Sequence, residues 1–212
     1  MTTNLFEFAL LSFVSLLTML NPIGIIPVYV SMTSKLSSRE SRHVAVRASI
    51  AAFGMLLLFA IGGKLIFDFF HISIDSLRIV GGMIFFLVGY EMFQARIPKM
   101  KYEDEETKSE LLDQAVTPIG IPLICGPGSI TTVMLLMKES GDFAFKSILI
   151  LSIFIAVTVT MILLIYSKRI LRILGDSGKK VLMRIMGLLG MVISVDLFFN
   201  GLKPILKEIL CA

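Results

Sequence analysis

Charge is missing from long stretches of this chain, and that absence decides most of what it can become. No Asp, Glu, Lys or Arg occurs in 8–34, 48–63, 79–90, 114–137, 147–167 or 185–195. A hydrocarbon core about 30 Å thick is crossed by about 20 apolar residues in a helix. Three of the stretches reach that length outright, and the other three reach it if one charge is allowed near an end. Composition agrees: 56% of the 212 residues are hydrophobic and only 17% are charged, against about a quarter charged in an ordinary soluble domain. A water-soluble core of this size has nowhere to put so much apolar surface.

The expected fold is therefore an all-α membrane protein with six transmembrane helices, at about 5–33, 44–67, 76–95, 115–137, 145–167 and 184–203. The charged segment 101–114 divides residues 1–100 from residues 115–212, three spans on each side. Orientation follows from the basic residues. The loops after spans one, three and five hold 14 of the 20 Lys and Arg, and the opposite side holds 6. The positive-inside rule puts those three loops in the cytoplasm and both termini outside. Residues 5–20 do not read as a cleaved signal, because no basic n-region precedes them and the apolar run continues through Asn21-Pro22. Cys125 and Cys211 suggest no disulfide framework. The net charge of +4 reflects loop placement, not a nucleic-acid surface.

The two halves repeat each other. Arg78-Ile79-Val80-Gly81 matches Arg184-Ile185-Met186-Gly187 at an offset of 106, and Phe93/Phe199 and Pro98/Pro204 keep that offset. Pro22 matches Pro127 at 105. Each half has an odd number of spans, so the second enters the membrane from the opposite side. Two inverted three-helix repeats are a common plan among secondary transporters.

Five of the seven prolines fall in spans one and four: Pro22, Pro27, Pro118, Pro122 and Pro127. Proline removes a backbone donor and clashes with the carbonyl four residues back. Asn21-Pro22-Ile23-Gly24 and Cys125-Gly126-Pro127-Gly128-Ser129 are thus expected to make helices 1 and 4 discontinuous. Unwound backbone is tolerated at membrane depth only against protein or a watery cavity. Opened helix ends carry about half a charge, positive at a start and negative at an end. Two such ends near the midplane suit a small zwitterion, its carboxylate on a helix start and its ammonium on carbonyls. Asn21 adds an amide, and Ser129, Thr131 and Thr132 add hydroxyls. The plain alternative is a pair of packing kinks. The matching positions in the two halves favour a site.

Glu91 and Asp196 are acids inside the third and sixth spans. A charge at the bilayer centre costs roughly 2.5–3.5 kcal/mol on insertion scales, so both are candidates for coupling or gating. Glu91 is near a span end and reads as interfacial. Asp196 reads as a buried polar partner or a proton carrier. Arg78 and Arg184 lie close to span starts and read as snorkelling side chains. His43 and His71 fall in loops on opposite sides, no metal-ligand spacing is present, and no phosphate-binding glycine loop occurs. Neither an enzyme nor a cofactor is expected.

The strings Leu20-Asn21-Pro22-Ile23-Gly24-Ile25-Ile26-Pro27 and Ile121-Pro122-Leu123-Ile124-Cys125-Gly126-Pro127-Gly128-Ser129-Ile130-Thr131 resemble those of the MarC family of prokaryotic inner-membrane proteins. The likeness extends over the whole chain. It implies a plasma-membrane protein that transports small neutral amino acids such as glycine and alanine, driven by an ion gradient. The coupling ion expected is H+, on the strength of Asp196 as an acid inside a span, with Na+ as the alternative. By motif the likeness implies a substrate region of Asn21, Pro22, Gly24, Gly126, Pro127, Gly128, Ser129 and Thr131. Cys125 stands where Ala is more usual. An exporter of drugs or metabolites, a passive channel and a non-transporting scaffold are the other classes open to such a chain. Its partners are then the substrate and the lipid bilayer, and a homo-oligomer is compatible with both.

Overall fold

The computed structural model describes residues 4–34, 36–95, 120 and 124–210, and the described residues contain helices and no strand. Helix α1 (Leu5–Leu20) ends where Asn21 turns into the left-handed region, φ 43°, ψ 56°, and α2 (Pro22–Met32) starts on the next residue. Asn is one of the few residues that visits that region readily, and a proline at the first helical position gives up a donor that had no helical acceptor anyway. The local sequence thus stops one helix and starts another at one residue.

Helix α3 (Ser38–Phe70) opens with a capping box. The Ser37 hydroxyl accepts from the Glu40 N–H (3.3 Å), and the Glu40 carboxylate accepts from the Ser37 N–H (2.8 Å). One face of α3 is buried through small residues, among them Ala45, Ala48, Ala52 and Ala60, which let neighbours approach closely. Helix α4 (Ile74–Phe93) is capped by Ser73, whose hydroxyl accepts from the Ser76 N–H at 2.9 Å. Helix α5 (Pro127–Glu139) follows the second break. The long helical stretch Phe143–Leu210 is broken at Gly175 (φ 65°, ψ −179°), a conformation for glycine alone. Its arms are α6 (Phe143–Arg172) and α7 (Ser177–Lys207).

Five stretches are long and apolar enough to cross a bilayer: Leu5–Met32, Ser38–Phe70, Ile74–Phe93, Phe143–Arg172 and Ser177–Lys207. Of the expected fourth span, 115–137, residues 115–119 and 121–123, with Pro118 and Pro122, lie outside the described residues. Its described part is Gly120, Ile124–Gly126 and most of α5. Two boundaries differ from the sequence expectation. Helix α3 begins at Ser38, not near 44, because its capped first turns carry Arg39, Glu40 and Arg42 in water. The loop expected over 168–183 is mostly helix, with the chain turning at Gly175. Charge-free runs measure the hydrocarbon layer, and these helices project beyond it.

Helices α4 and α7 form the closest seam. Their pairing is antiparallel: Asp75 and Arg78 oppose Gly201, Gly82 opposes Ser194 and Phe198, and Gly89 opposes Gly187. A Cβ added to Gly82 would come within 2.8 Å of the Ser194 carbonyl, and one on Gly187 within 2.6 Å of the Gly89 carbonyl. Real contacts of that kind do not occur, so the glycines are what permits the backbones to touch.

The buried core joins Leu16 and Leu20 of α1, Tyr29 of α2, Leu56 of α3 and Leu149, Ile153 and Leu164 of α6. Side-chain bonds tie the connection between α2 and α3 and the end of α6 to this core. The Tyr29 hydroxyl donates to the Ser41 carbonyl (2.6 Å), and the Lys168 ammonium donates to the Leu36 carbonyl (2.9 Å). Outside, the molecule shows Phe6, Ile61, Leu65, Leu87, Leu151 and Val192. Apolar surface on that scale is far beyond what a soluble monomer presents.

Candidate functional site

The first break is held by its own side chain. Asn21 ends α1 with its N–H donating to the Leu17 carbonyl (3.1 Å), and its Oδ1 accepts from the Gly24 N–H (3.3 Å). A side chain on Gly24 would strike that amide group, so Gly24 is needed for the cap. The carbonyls at the end of α1 lose their usual donors. Pro22 has no N–H to offer Thr18, and the Gly24 N–H that would reach Leu20 is taken by Asn21. The negative end of α1 is thereby left open.

The second break is built differently. The Cys125 N–H donates to the Gly120 carbonyl (2.9 Å), a five-residue closure that ends the preceding turn. Gly126 is extended (φ −84°, ψ 171°) and α5 starts at Pro127 with no side chain capping it. The first intrahelical bond runs from the Ile130 N–H to the Gly126 carbonyl (3.0 Å). The N–H groups of Gly128 and Ser129 come before that bond, at the positive end of the helix.

These two ends share one cavity of about 50 Å³. Its walls are Met19 and Leu20 from α1, Asn21, Gly24, Ile25 and Val28 around α2, and Gly126, Pro127, Gly128 and Ser129 from the second break. Helix α4 supplies Ile84, Phe85, Val88 and Met92. At about 10–15 Å³ per water, the space holds a few waters or one very small solute. No charged side chain lines it among the described residues.

Six of the eight residues expected from the sequence therefore meet: Asn21, Gly24, Gly126, Pro127, Gly128 and Ser129. Pro22 and Thr131 are buried but do not line the cavity. The hydroxyls do not play the part expected of them. Ser129 donates back to the Gly126 carbonyl (2.9 Å), Thr131 to Pro127 (2.7 Å) and Thr132 to Gly128 (2.9 Å). Such bonds one turn back are the easiest ones for a hydroxyl in a dry helix. The cavity wall is mostly apolar, and these hydroxyls are already engaged with backbone carbonyls.

The acids are also placed elsewhere. Glu91 is exposed in the last turn of α4. Asp196 is exposed on the outer side of α7, neither at the cavity nor buried. The helix period explains this. Leu197 points inward, against Gly81 and Gly128, and the residue before it is rotated about 100° away. Arg78 makes an ion pair with Asp75 one turn earlier, at 2.9 Å. The α4 wall had no chemical signal in the sequence. Only Gly81, which admits the Pro127 ring, hinted that α4 lies against the second break: a Cβ there would sit 2.6 Å from the Pro127 Cβ.

Five long apolar stretches of helix define a multi-pass integral membrane protein. The chain belongs to the MarC family of integral membrane proteins, whose pattern matches residues 6–206. It is 37% identical to a UPF0056 membrane protein of Methanocaldococcus jannaschii over 208 residues, 97% of this chain and 91% of that one. A UPF0056 membrane protein of Pyrococcus horikoshii is 40% identical over 86% of this chain and 88% of its own. The UPF0056 membrane protein YvbG of Bacillus subtilis is 32% identical over 94% of this chain and 96% of its own. No solved structure matches.

Proposed function

We propose that this protein is a secondary transporter of small neutral amino acids, of the glycine and alanine class, and not an enzyme. One observation carries the reading: a negative helix end and a positive helix end open onto the same small, uncharged cavity. A zwitterion satisfies both. Its carboxylate accepts from the Gly128 and Ser129 N–H groups, and its ammonium donates to the carbonyl end of α1 and to no charged side chain. The size supports glycine or alanine over larger solutes. Pockets for drug-sized ligands run to about 300–1,000 Å³, which weighs against a drug exporter.

In this reading the chain crosses the plasma membrane six times as two inverted halves, with helices 1 and 4 discontinuous and both termini outside. The antiparallel α4–α7 seam supports it, since these are the repeat-equivalent third and sixth spans. The halves rock about the cavity to give alternating access. The driving ion is H+ or Na+. No titratable side chain lines the cavity among the described residues, which favours Na+ held by freed carbonyls over H+ carried by Asp196.

Uptake and counterflow of labelled glycine and alanine in proteoliposomes test the reading. Saturable exchange is expected, and it separates a carrier from a channel. Absence of uptake and exchange, with wild type equal to the Asn21→Ala, Gly126→Val double variant, overturns it. A rate that follows pH and ignores Na+ overturns the choice of ion alone.

A further inference from the structure

Asp196 poses a problem that the cavity does not solve. It is exposed on α7, yet it lies in the interior of a helix long and apolar enough to cross a bilayer. Its neighbour Leu197 packs against Gly128 at the second break, with its Cδ2 3.7 Å from where a Cβ on that glycine would lie. Arg184 is 12 residues before it and Lys203 is 7 after it, about 18 Å and 10 Å along the helix. An aspartate side chain is too short to reach water as a lysine does. It has no ion pair or side-chain hydrogen bond among the described residues. Asn200, one turn further along, is exposed on the same side. Lipid tails offer neither group a partner.

The surrounding face has a regular form. Ile185, Leu189, Val192, Asp196, Phe199 and Lys203 are all exposed, at alternating spacings of four and three. That is the spacing of a helix seam, in which one polar position sets register and partner. We infer that this outer face of α7 is the contact surface of a homodimer, with Asp196 and Asn200 of two copies bonded to each other within the apolar part of the span. A second copy is the occupant that fits. Both copies cross the membrane in the same sense, so a two-fold axis runs along the membrane normal and brings equal depths together. Asn200 lies one turn, about 6 Å, from Asp196 along the helix, so the Asn200 amide of one copy reaches obliquely across the seam to donate to the Asp196 carboxylate of the other. The apolar faces above and below pack side by side.

Cysteine crosslinking in native membranes tests this, in a Cys211→Ser background, with the remaining Cys125 buried. Val192→Cys and Phe199→Cys are expected to crosslink to dimer, and Ile61→Cys, exposed on α3, is not. The Asp196→Leu, Asn200→Leu variant is expected to lower the dimer fraction about tenfold at a fixed protein-to-lipid ratio, on the scale of interhelical polar contacts. Asp196→Asn, which keeps hydrogen bonding, should retain the dimer. Both Leu side chains replace polar groups on an exposed face, so a monodisperse monomer on gel filtration is the expected product. Crosslinking at 192 and 199 no better than at 61 overturns the inference. So does undiminished dimer in the double-Leu variant. Neither readout depends on whether the protein transports amino acids.

Discussion

The two helix breaks use the same chemistry, a proline at the first position of the following helix, and treat the freed backbone in opposite ways. At the first, Asn21 folds its amide oxygen onto the Gly24 N–H and closes the start of α2 itself. At the second, an extended glycine precedes Pro127, and no side chain covers the N–H groups of Gly128 and Ser129. The first break therefore leaves carbonyls as its open groups and the second leaves donors. A cavity between them acquires a polarity that neither break has alone. Two proline-marked helix starts thus expose opposite poles.

Four experiments probe that division. The largest effect is expected at the open end of α5. Gly128→Val crowds the cavity and blocks the two N–H groups, and uptake should fall about 100-fold, the scale of losing charge-assisted hydrogen bonds worth about 1.5–3 kcal/mol. Gly128→Ala is the companion, because its Cβ meets Met19 Sδ at an ordinary 3.4 Å. It should fold normally and transport glycine better than alanine. Uptake kinetics for the two substrates distinguish these outcomes.

Next comes Gly81→Ala, which forces a methyl to 2.6 Å from the Pro127 Cβ. Displacing the second break should cost about 1–3 kcal/mol, as overpacking does, read as a lower melting temperature in detergent. At the first break, Asn21→Ala removes a cap and puts a disfavoured residue at φ 43°. Together these cost about 1–2 kcal/mol, whereas Asn21→Gly, at ease in that conformation, costs a few tenths. If both variants lose uptake equally while only Ala loses stability, the amide contacts the solute as well as capping α2. The smallest effect belongs to Ser129→Ala. Its hydroxyl is already bonded to Gly126 (2.9 Å), so stability should drop by about 1 kcal/mol or less and affinity for glycine should change little. A large loss of affinity would mean that the hydroxyl turns to the solute.

Much of this was legible before any coordinates. Charge-free runs locate helices because the bilayer tolerates few charges, and Asn-Pro and Gly-Pro-Gly locate breaks because proline has no N–H. Six of the eight motif residues share one cavity for that reason. What the sequence did not reveal is direction. The residue types at 129, 131 and 132 suggest hydroxyls for a ligand, but only geometry shows each turned back to a carbonyl. Asp196 reads as buried from its depth, and only the phase of α7, fixed by Leu197 against Gly81, turns it outward. The wall of Ile84, Phe85, Val88 and Met92 is ordinary apolar helix in sequence and gains meaning from what it faces.

The glycine contacts between α4 and α7 have a mechanical consequence. Where peptide rests on peptide, no rotamer can yield and no slack remains for sliding, so the two helices travel as one stiff beam. Phe85 and Val88 ride on that beam and form a fixed wall of the chamber. In the proposed transport cycle the halves can then rock only by pivoting about this shared beam, which carries the segments beside Asn21 and Gly126 with them.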